Sequence, residues 1–185
     1  LKEAGFVALR FGVDAFSENT LRLQMKGYNT DMVSQNLRDC AEAGIYIEVN
    51  WVIGVPGETE ADIDEGIDLI IRNKEHIGRL ANINTLVLAN GSVYWIDPES
   101  HNIVFHGDKE EVYGANARAI PDGMWHSEEP FIDGKVRRAR FSRIIHALHD
   151  GGVNIGAWAS KVIDETLQAA SSDAEVEAEP EKASD

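Results

Sequence analysis

The sequence predicts an α/β fold in which strand–helix–strand units build a parallel sheet, followed by a mixed, mainly helical and loop-rich C-terminal extension. Three apolar segments, at residues 6–12, 45–53 and 83–88, are separated by segments in which apolar residues follow the helical repeat. Strands that alternate with helices of this length are typical of βαβ units and of a parallel sheet. We therefore assign residues 1–89 to the sheet, 90–170 to the extension and 171–185 to an acidic tail.

Capping residues predict where the intervening helices begin and end. Ser17, Thr30 and Thr59 each precede a segment with helical periodicity. Ser and Thr are favoured at this position because their side-chain oxygen accepts a backbone N–H that the helix leaves unpaired. Gly44 ends the second helix, since glycine readily adopts the left-handed conformation of a helix C-terminus.

The region after residue 90 lacks a regular period. Gly, Pro, Asp, His and Trp are scattered through it, with a short strand predicted at residues 103–106. Residues 135–149 predict a basic helix, and residues 155–169 a last helix. Residues 171–185 hold too little apolar surface to offset the entropy of ordering, so we expect them to be disordered.

Composition excludes several classes of function. The formal net charge of −15 argues against nucleic acid and against an anionic membrane surface as partners. No apolar run reaches the roughly 18 residues that a membrane span requires. The single cysteine, Cys40, excludes a disulfide framework and any site built from several thiolates of this chain, and it fits a cytoplasmic location.

The predicted sheet is incomplete by itself. Three strands with two crossovers make half of a barrel or half of an open sheet, and a parallel sheet needs both faces covered and its edges protected. The chain also opens at Leu1 in a pattern that resembles the end of a helix. We therefore expect this chain to be a fragment whose preceding segment completes the sheet.

The most informative motif is the segment GVPGET at residues 54–59, between a strand and a helix. Its two glycines allow a close approach of the backbone to a ligand, and its proline stiffens the turn. Ligands of parallel α/β folds bind at the carboxyl ends of the strands, where this turn lies. It is not a phosphate-binding P-loop, because no Gly-Lys-Ser/Thr follows. The alternative is a rigid turn with a purely structural role.

Four motifs occur in a fixed order: GVD at residues 12–14, MKGYNT at 25–30, AGI at 43–45 and VIGVPGETEAD at 52–62. This order and spacing resembles the second half of radical S-adenosylmethionine (radical SAM) domains, in particular the cobalamin-dependent and methylthiotransferase-like branch. The resemblance covers residues 1–89 and thins after residue 90. It implies the C-terminal half of a partial (β/α)6 barrel, with the three strands as strands four to six.

The resemblance also implies which residues contact SAM. Asp14 matches the polar residue, usually Glu, that ends strand four near the methionyl or ribose part, and Lys26 matches a basic residue that faces the SAM carboxylate. The remaining matches are the strand-five segment that packs on the adenine, the turn that follows it, and the end of strand six: Ile53, Gly54, Val55, Gly57, Glu58, Leu88 and Ala89.

Further cofactors and partners are implied in the same way. The family holds a 4Fe–4S cluster with a Cys-x3-Cys-x2-Cys loop after the first barrel strand, and this loop is absent here. We expect the cluster ligands in the missing N-terminal half of the barrel and no activity from this chain alone. The full enzyme would cleave SAM reductively to begin radical chemistry on a small-molecule or unknown substrate, with electrons from a flavodoxin or ferredoxin. Where a cobalamin domain precedes the barrel, as the branch often has, a cobalamin is the second cofactor.

Other interpretations remain open. The chain could be a degenerate barrel that serves as a binding or scaffold module, or part of a different α/β-barrel enzyme. Arg137, Arg140 and Arg143 could receive a phosphate, a cobalamin tail or an acidic neighbouring domain, or form a solvated helix face. His146 and His149 lie three residues apart and could share a metal, although a helix-surface pair is the simpler interpretation.

Overall fold

The computed structural model describes residues 1–116 and 119–159. Its centre is a three-stranded parallel sheet with the strand order β1-β2-β3, formed by β1 (Ala8–Asp14), β2 (Tyr46–Ile53) and β3 (Arg79–Thr85). In the register of the sheet, Glu48 of β2 lies between Arg10 of β1 and Arg79 of β3. The predicted α/β class and the parallel sheet are confirmed, but a closed or partial barrel is not evident from three strands.

The helices between the strands are α1 (Glu18–Leu23), α2 (Thr30–Glu42) and α3 (Glu60–Arg72). Ser17 caps α1 as predicted, and Thr59 caps α3 in a reciprocal capping box with Asp62. The predicted cap of α2 is wrong by one residue. Asn29 is the N-cap, because its side chain accepts the Met32 N–H, and Thr30 is the first helical residue.

The third strand begins and ends earlier than the sequence predicted. We expected it at residues 83–88, whereas β3 spans Arg79–Thr85. Asn82 and Asn84 are exposed and flank the buried Ile83, so β3 is a half-buried strand. Its apolar residues are not consecutive, and the sequence therefore does not show it as an apolar run. Leu88 instead packs into a second apolar cluster outside this sheet.

The sheet is covered on one face only, within the part of the chain that the structure describes. Burial alternates along each strand, so that one set of side chains enters the core beneath the helices and the other set does not. The core set is apolar and includes Ile47, Val49, Trp51 and Ile53 of β2. The opposite set is largely polar and includes Arg10, Glu48, Asn50, Asn82 and Asn84.

The extension adds a small antiparallel sheet of order β4-β5-β6, formed by β4 (Ile103–Phe105), β5 (Trp125–Glu128) and β6 (Phe131–Ile132). The short strand predicted at 103–106 is confirmed, while β5 and β6 were not predicted. Two helices, α4 (Val93–Ile96) and α5 (Lys109–Asn116), accompany this sheet. Its apolar cluster is built on Leu88, Trp95, Ile103, Ile120 and Trp125.

The basic helix predicted at residues 135–149 is confirmed as α6 (Gly134–Asp150). Its residues Ile144, Ile145 and Leu148 are fully buried in the main core, so α6 covers the same face of the parallel sheet as α3. None of the helices in the described residues has the length and apolar character needed to cross a membrane. Residues 160–169 of the predicted last helix and the tail at 171–185 lie outside the described residues.

Candidate functional site

The candidate site is the turn that follows β2 at the carboxyl end of the parallel sheet. Gly54 and Gly57 have φ values of +76° and +88°, in the left-handed region that favours glycine. The Glu58 N–H donates to the Val55 carbonyl at 2.9 Å, which closes the turn, and α3 begins directly after Thr59. The sequence GVPGET therefore forms a tight turn because glycine stands at both positions that require a positive φ.

Glu58 is the ionisable residue of this turn. The residue has 0% exposure, and its Oε2 accepts the Gly54 N–H at 2.6 Å and Nη1–H of Arg140 at 3.0 Å. Its other oxygen, Oε1, is buried with no hydrogen-bond partner. Burial raises the pKa of Glu58 to about 7, against the opposing effects of the Gly54 N–H and Arg140. The carboxyl group therefore gains or loses its proton near neutral pH.

Two arginines of α6 reach the two ends of the turn. Arg140 is 4% exposed and donates to the Glu58 carboxylate, to the Glu58 carbonyl at 3.2 Å and to Glu60 at 2.6 Å. Arg137 is 0% exposed, and its Nε lies 3.5 Å from the Gly54 carbonyl. Successive turns of one helix thus hold both Gly54 and Glu58 from a distant part of the chain.

The side chain of Arg137 is surrounded by residues of the C-terminal extension and by the turn after β2. Its guanidinium carbon is 3.4 Å from the ring centroid of Trp125, and its Nη1 donates to the Asp122 carboxylate at 3.0 Å. Its Nη2 donates to the Ile132 carbonyl at 3.1 Å. A Cβ on Gly54 would lie only 2.6 Å from Cγ of Arg137. The missing side chain of Gly54 therefore makes room for Arg137.

Asp14 and Lys26, both predicted to bind SAM, lie together at the carboxyl end of β1. The Lys26 ammonium is 2.8 Å from the Asp14 carboxylate, and both side chains are partly exposed. Asp14 has a φ of 62°, and the pairing of β1 with β2 shifts register just before it. A non-glycine residue in this conformation carries strain, which is often found at functional sites. One accessible carboxylate and one accessible ammonium are thus adjacent.

The other predicted SAM contacts occupy varied positions. Ile53 and Val55 are fully buried, and the side chain of Ile53 belongs to the core beneath the helices. The carbonyl of Gly57 accepts the Asn19 amide at 3.2 Å. We expected Leu88 and Ala89 at the end of a strand, but β3 ends at Thr85, so this placement is wrong.

Leu88 and Ala89 follow β3 in the loop that leads into the extension. The Leu88 carbonyl accepts the Ile120 N–H at 2.8 Å, and the Ala89 carbonyl accepts the Ser92 hydroxyl at 2.8 Å. Both carbonyls are therefore occupied by groups of this chain. Whether any of these residues contacts SAM remains a prediction.

The residues present fit part of the implied cofactor set. Asp14 and Lys26 offer opposite charges to the ammonium and carboxylate of an amino-acid group, which suits the methionyl part of SAM. A 4Fe–4S cluster does not fit, because Cys40 is the only cysteine and lies partly buried on α2 against the core. In the described residues, no three His, Cys, Asp or Glu side chains are arranged to hold a metal ion.

The weaker candidates are accounted for by local contacts. Nδ1 of His146 lies 2.8 Å from the Ser142 carbonyl, and Nδ1 of His149 lies 3.2 Å from Asp150. The interpretation of Arg137, Arg140 and Arg143 as a solvated helix face is wrong for Arg137 and Arg140, which are buried. It fits Arg143, whose side chain is 41% exposed.

Sequence reasoning identified the turn but missed the arginines that hold it. Arg137, Arg140 and Arg143 repeat every three residues and so lie near one another on α6. The first two turns of α3 and the residue Glu58 before them are acidic, and Glu58, Glu60 and Asp64 are all paired to these arginines. A basic helix face and an acidic helix start in one chain are the signal that predicts such a contact.

No protein-family model matches this chain, and no curated protein matches it at a significant level of sequence similarity. The resemblance to radical SAM domains therefore rests on the motifs of residues 12–62 themselves.

Proposed function

We propose that this chain supplies the SAM-binding half of a radical SAM barrel, as part of a longer enzyme. The observation that carries the proposal is the parallel sheet with helices on one face, an open polar opposite face, and the turn of residues 54–58 at the carboxyl end of its middle strand. A parallel sheet is normally covered on both faces. A sheet left open on its polar face suits the inner wall of a barrel.

In this proposal the chain binds and orients SAM. Lys26 faces the SAM carboxylate, and Asp14 lies beside it to receive the ammonium group, so the ligand replaces the ion pair that the two residues form with each other. SAM supplies the reactive group once a reduced cluster lies beside it. The turn of residues 54–58 forms the wall next to the adenine.

The rest of the enzyme lies beyond this chain. We propose that the N-terminal half of the barrel carries the three cysteines of a 4Fe–4S cluster, since this chain has one cysteine. A flavodoxin or ferredoxin supplies the electron in the cytoplasm. A cobalamin domain would make the reaction a methyl transfer or a rearrangement of the substrate.

A second candidate, a degenerate barrel that acts as a binding or scaffold module, is favoured by one observation. Arg137 fills the space beside Gly54 that a ligand would use, and it is held there by Trp125 and Asp122. A turn committed to contacts within its own chain suits a structural role. The experiment that follows separates the two candidates.

The test uses the complete gene product, purified without oxygen. We expect stoichiometric iron and sulfide, SAM binding, and 5′-deoxyadenosine on reduction. Lys26→Ala should weaken SAM binding by roughly 1–3 kcal/mol, because a charge-assisted hydrogen bond is lost, while its iron content stays unchanged. Lys135→Ala, on the exposed surface of α6, is the matched control. A product without cluster or SAM binding would refute the proposed function.

A further inference from the structure

The turn at the carboxyl end of β2 is held by a contact that neither the strand nor α3 provides. Oε2 of Glu58 accepts hydrogen bonds from Gly54 within the turn and from Arg140 on α6. Arg140 also donates to the Glu58 carbonyl, so the guanidinium binds both the side chain and the backbone of one residue. Residues 58 and 140 are 82 positions apart, which makes this a contact between the predicted sheet region and the extension.

The other end of the turn is held in the same way. Arg137, one helical turn before Arg140, has its Nε 3.5 Å from the Gly54 carbonyl and stacks on Trp125. The backbone N–H of Gly54 is bound by Glu58, so both polar groups of this residue are fixed by partners within the chain. The conformation of the turn therefore depends on the position of α6.

Burial distinguishes these contacts from ordinary surface ion pairs. The side chains of Arg140 and Glu58 are 4% and 1% exposed, whereas those of Arg143 and Asp64, paired one turn later on the same helix, are 41% and 63% exposed. A buried ion pair loses so much hydration that it adds little stability compared with apolar packing. What it does define is a single geometry for the groups it joins, here the carboxylate and the carbonyl of Glu58.

We propose that α6 sets the ligand-binding geometry of the β2 turn, with Arg140 as the positioning residue acting through Glu58. The inference rests on the proposed function, because it assigns SAM as the ligand of that turn. It makes the extension part of the SAM site. Arg140 does not touch SAM; it fixes Glu58, and Glu58 fixes the Gly54 N–H and the path of the backbone on which the adenine lies.

The first test measures amide hydrogen exchange in the turn, in the complete gene product without added ligand. Arg140→Gln should raise the amide exchange rate of Gly54 by about tenfold or more, because its partner Glu58 is released. Amides in the centre of β2 should keep their exchange rates. Arg143→Gln, which removes two exposed ion pairs from the same helix, is the matched control and should leave the exchange rate of the Gly54 amide unchanged.

The second test measures the affinity for SAM. It is done at a temperature at which circular dichroism shows that each variant is fully folded. Arg140→Gln should raise the Kd for SAM about tenfold, with iron content unchanged, and Arg143→Gln should leave it within twofold. Arg140→Lys keeps the charge but loses the forked geometry, so an intermediate Kd is expected. If Arg140→Gln does not fold, the Kd of Arg140→Lys for SAM provides the test instead.

The outcomes separate the two proposals. If the wild-type product binds SAM and the folded Arg140 variants bind it equally well, the positioning role is refuted and the proposed function stands. If the wild-type product binds no SAM, the proposed function fails and this inference fails with it, even where the Gly54 amide responds. Faster exchange at Gly54 together with weaker SAM binding supports the inference.

Discussion

The replacement of Gly54 by alanine tests what the missing side chain at this position is for. The new Cβ would lie 2.6, 2.8 and 2.9 Å from Cγ, Cδ and Nε of Arg137, so the arginine must move. A positive φ costs alanine about 1 kcal/mol. Displacing Arg137 from Trp125 and Asp122 costs about 3 kcal/mol more, from a desolvated cation–π contact and an ion pair in which the arginine is buried. We therefore expect Gly54→Ala to lower the free energy of unfolding by about 4 kcal/mol in total.

A double-mutant cycle separates the collision from the strain. Arg137→Ala alone should cost about 3 kcal/mol, because it removes a buried guanidinium from its cation–π contact with Trp125 and from its ion pair with the partly exposed Asp122. In Arg137→Ala the space beside Gly54 is empty, so adding Gly54→Ala should cost only about 1 kcal/mol for the positive φ. The double variant should then lose about 4 kcal/mol rather than the sum of about 7 kcal/mol, a coupling of about 3 kcal/mol.

Urea denaturation followed by circular dichroism measures these free energies of unfolding. Gly91→Ala is the matched control, because Gly91 also has a positive φ, of +80°, but has no neighbour within 4 Å of an added Cβ. It should cost about 1 kcal/mol. Additive costs in the cycle, to within about 0.5 kcal/mol, would refute the idea that Gly54 is glycine to accommodate Arg137.

Two further predictions concern the same core. Glu58→Gln should alter how stability depends on pH: the folded-state pKa of Glu58 is raised from 4.5 to about 7, so its contribution is fully present below pH 4.5 and is lost as pH rises through 7. The stability difference between wild type and Glu58→Gln should thus change by on the order of 3 kcal/mol across that range, and a constant difference in urea titrations would contradict it. Gly66→Ala places a Cβ 2.5 Å from the Trp51 ring and should lower the free energy of unfolding by about 1–3 kcal/mol. Gly114→Ala, with no neighbour within 4 Å, should not, and equal thermal shifts for the two would contradict the packing argument.

The sequence predicted those features that depend on local chemistry. Ser17 and Thr59 cap helices because a hydroxyl beside a free backbone N–H is favourable wherever the chain lies. The strand at residues 45–53 was evident because every second residue is buried and apolar and the residues between include Tyr46 and Val52. The turn at residues 54–58 was evident because glycine and proline act on the backbone directly.

Features that depend on distant parts of the chain were harder to predict. β3 was placed too late because Asn82 and Asn84 lie on the open face of the sheet, and nothing local indicates that one face is uncovered. The strands β5 and β6 are four and two residues long, and their pairing depends on contacts across the extension. The burial of Arg137 was not predicted, because it depends on Trp125 and Asp122, which are 12 and 15 residues away.

The contacts at the carboxyl end of the sheet change the expected order of importance among the predicted SAM residues. From sequence, Gly54 is the most sensitive position, because the space beside a glycine could admit the adenine. In the structure Arg137 takes that space, and both polar backbone groups of Gly54 are bound within the chain. Lys26 and Asp14 remain partly exposed, and their side chains pair with each other. Lys26 also donates to the Gly12 carbonyl, and the Gln24 amide donates to the backbone carbonyl of Asp14. If this chain binds SAM, its recognition must therefore depend on the charges of Lys26 and Asp14 more than on the space at Gly54.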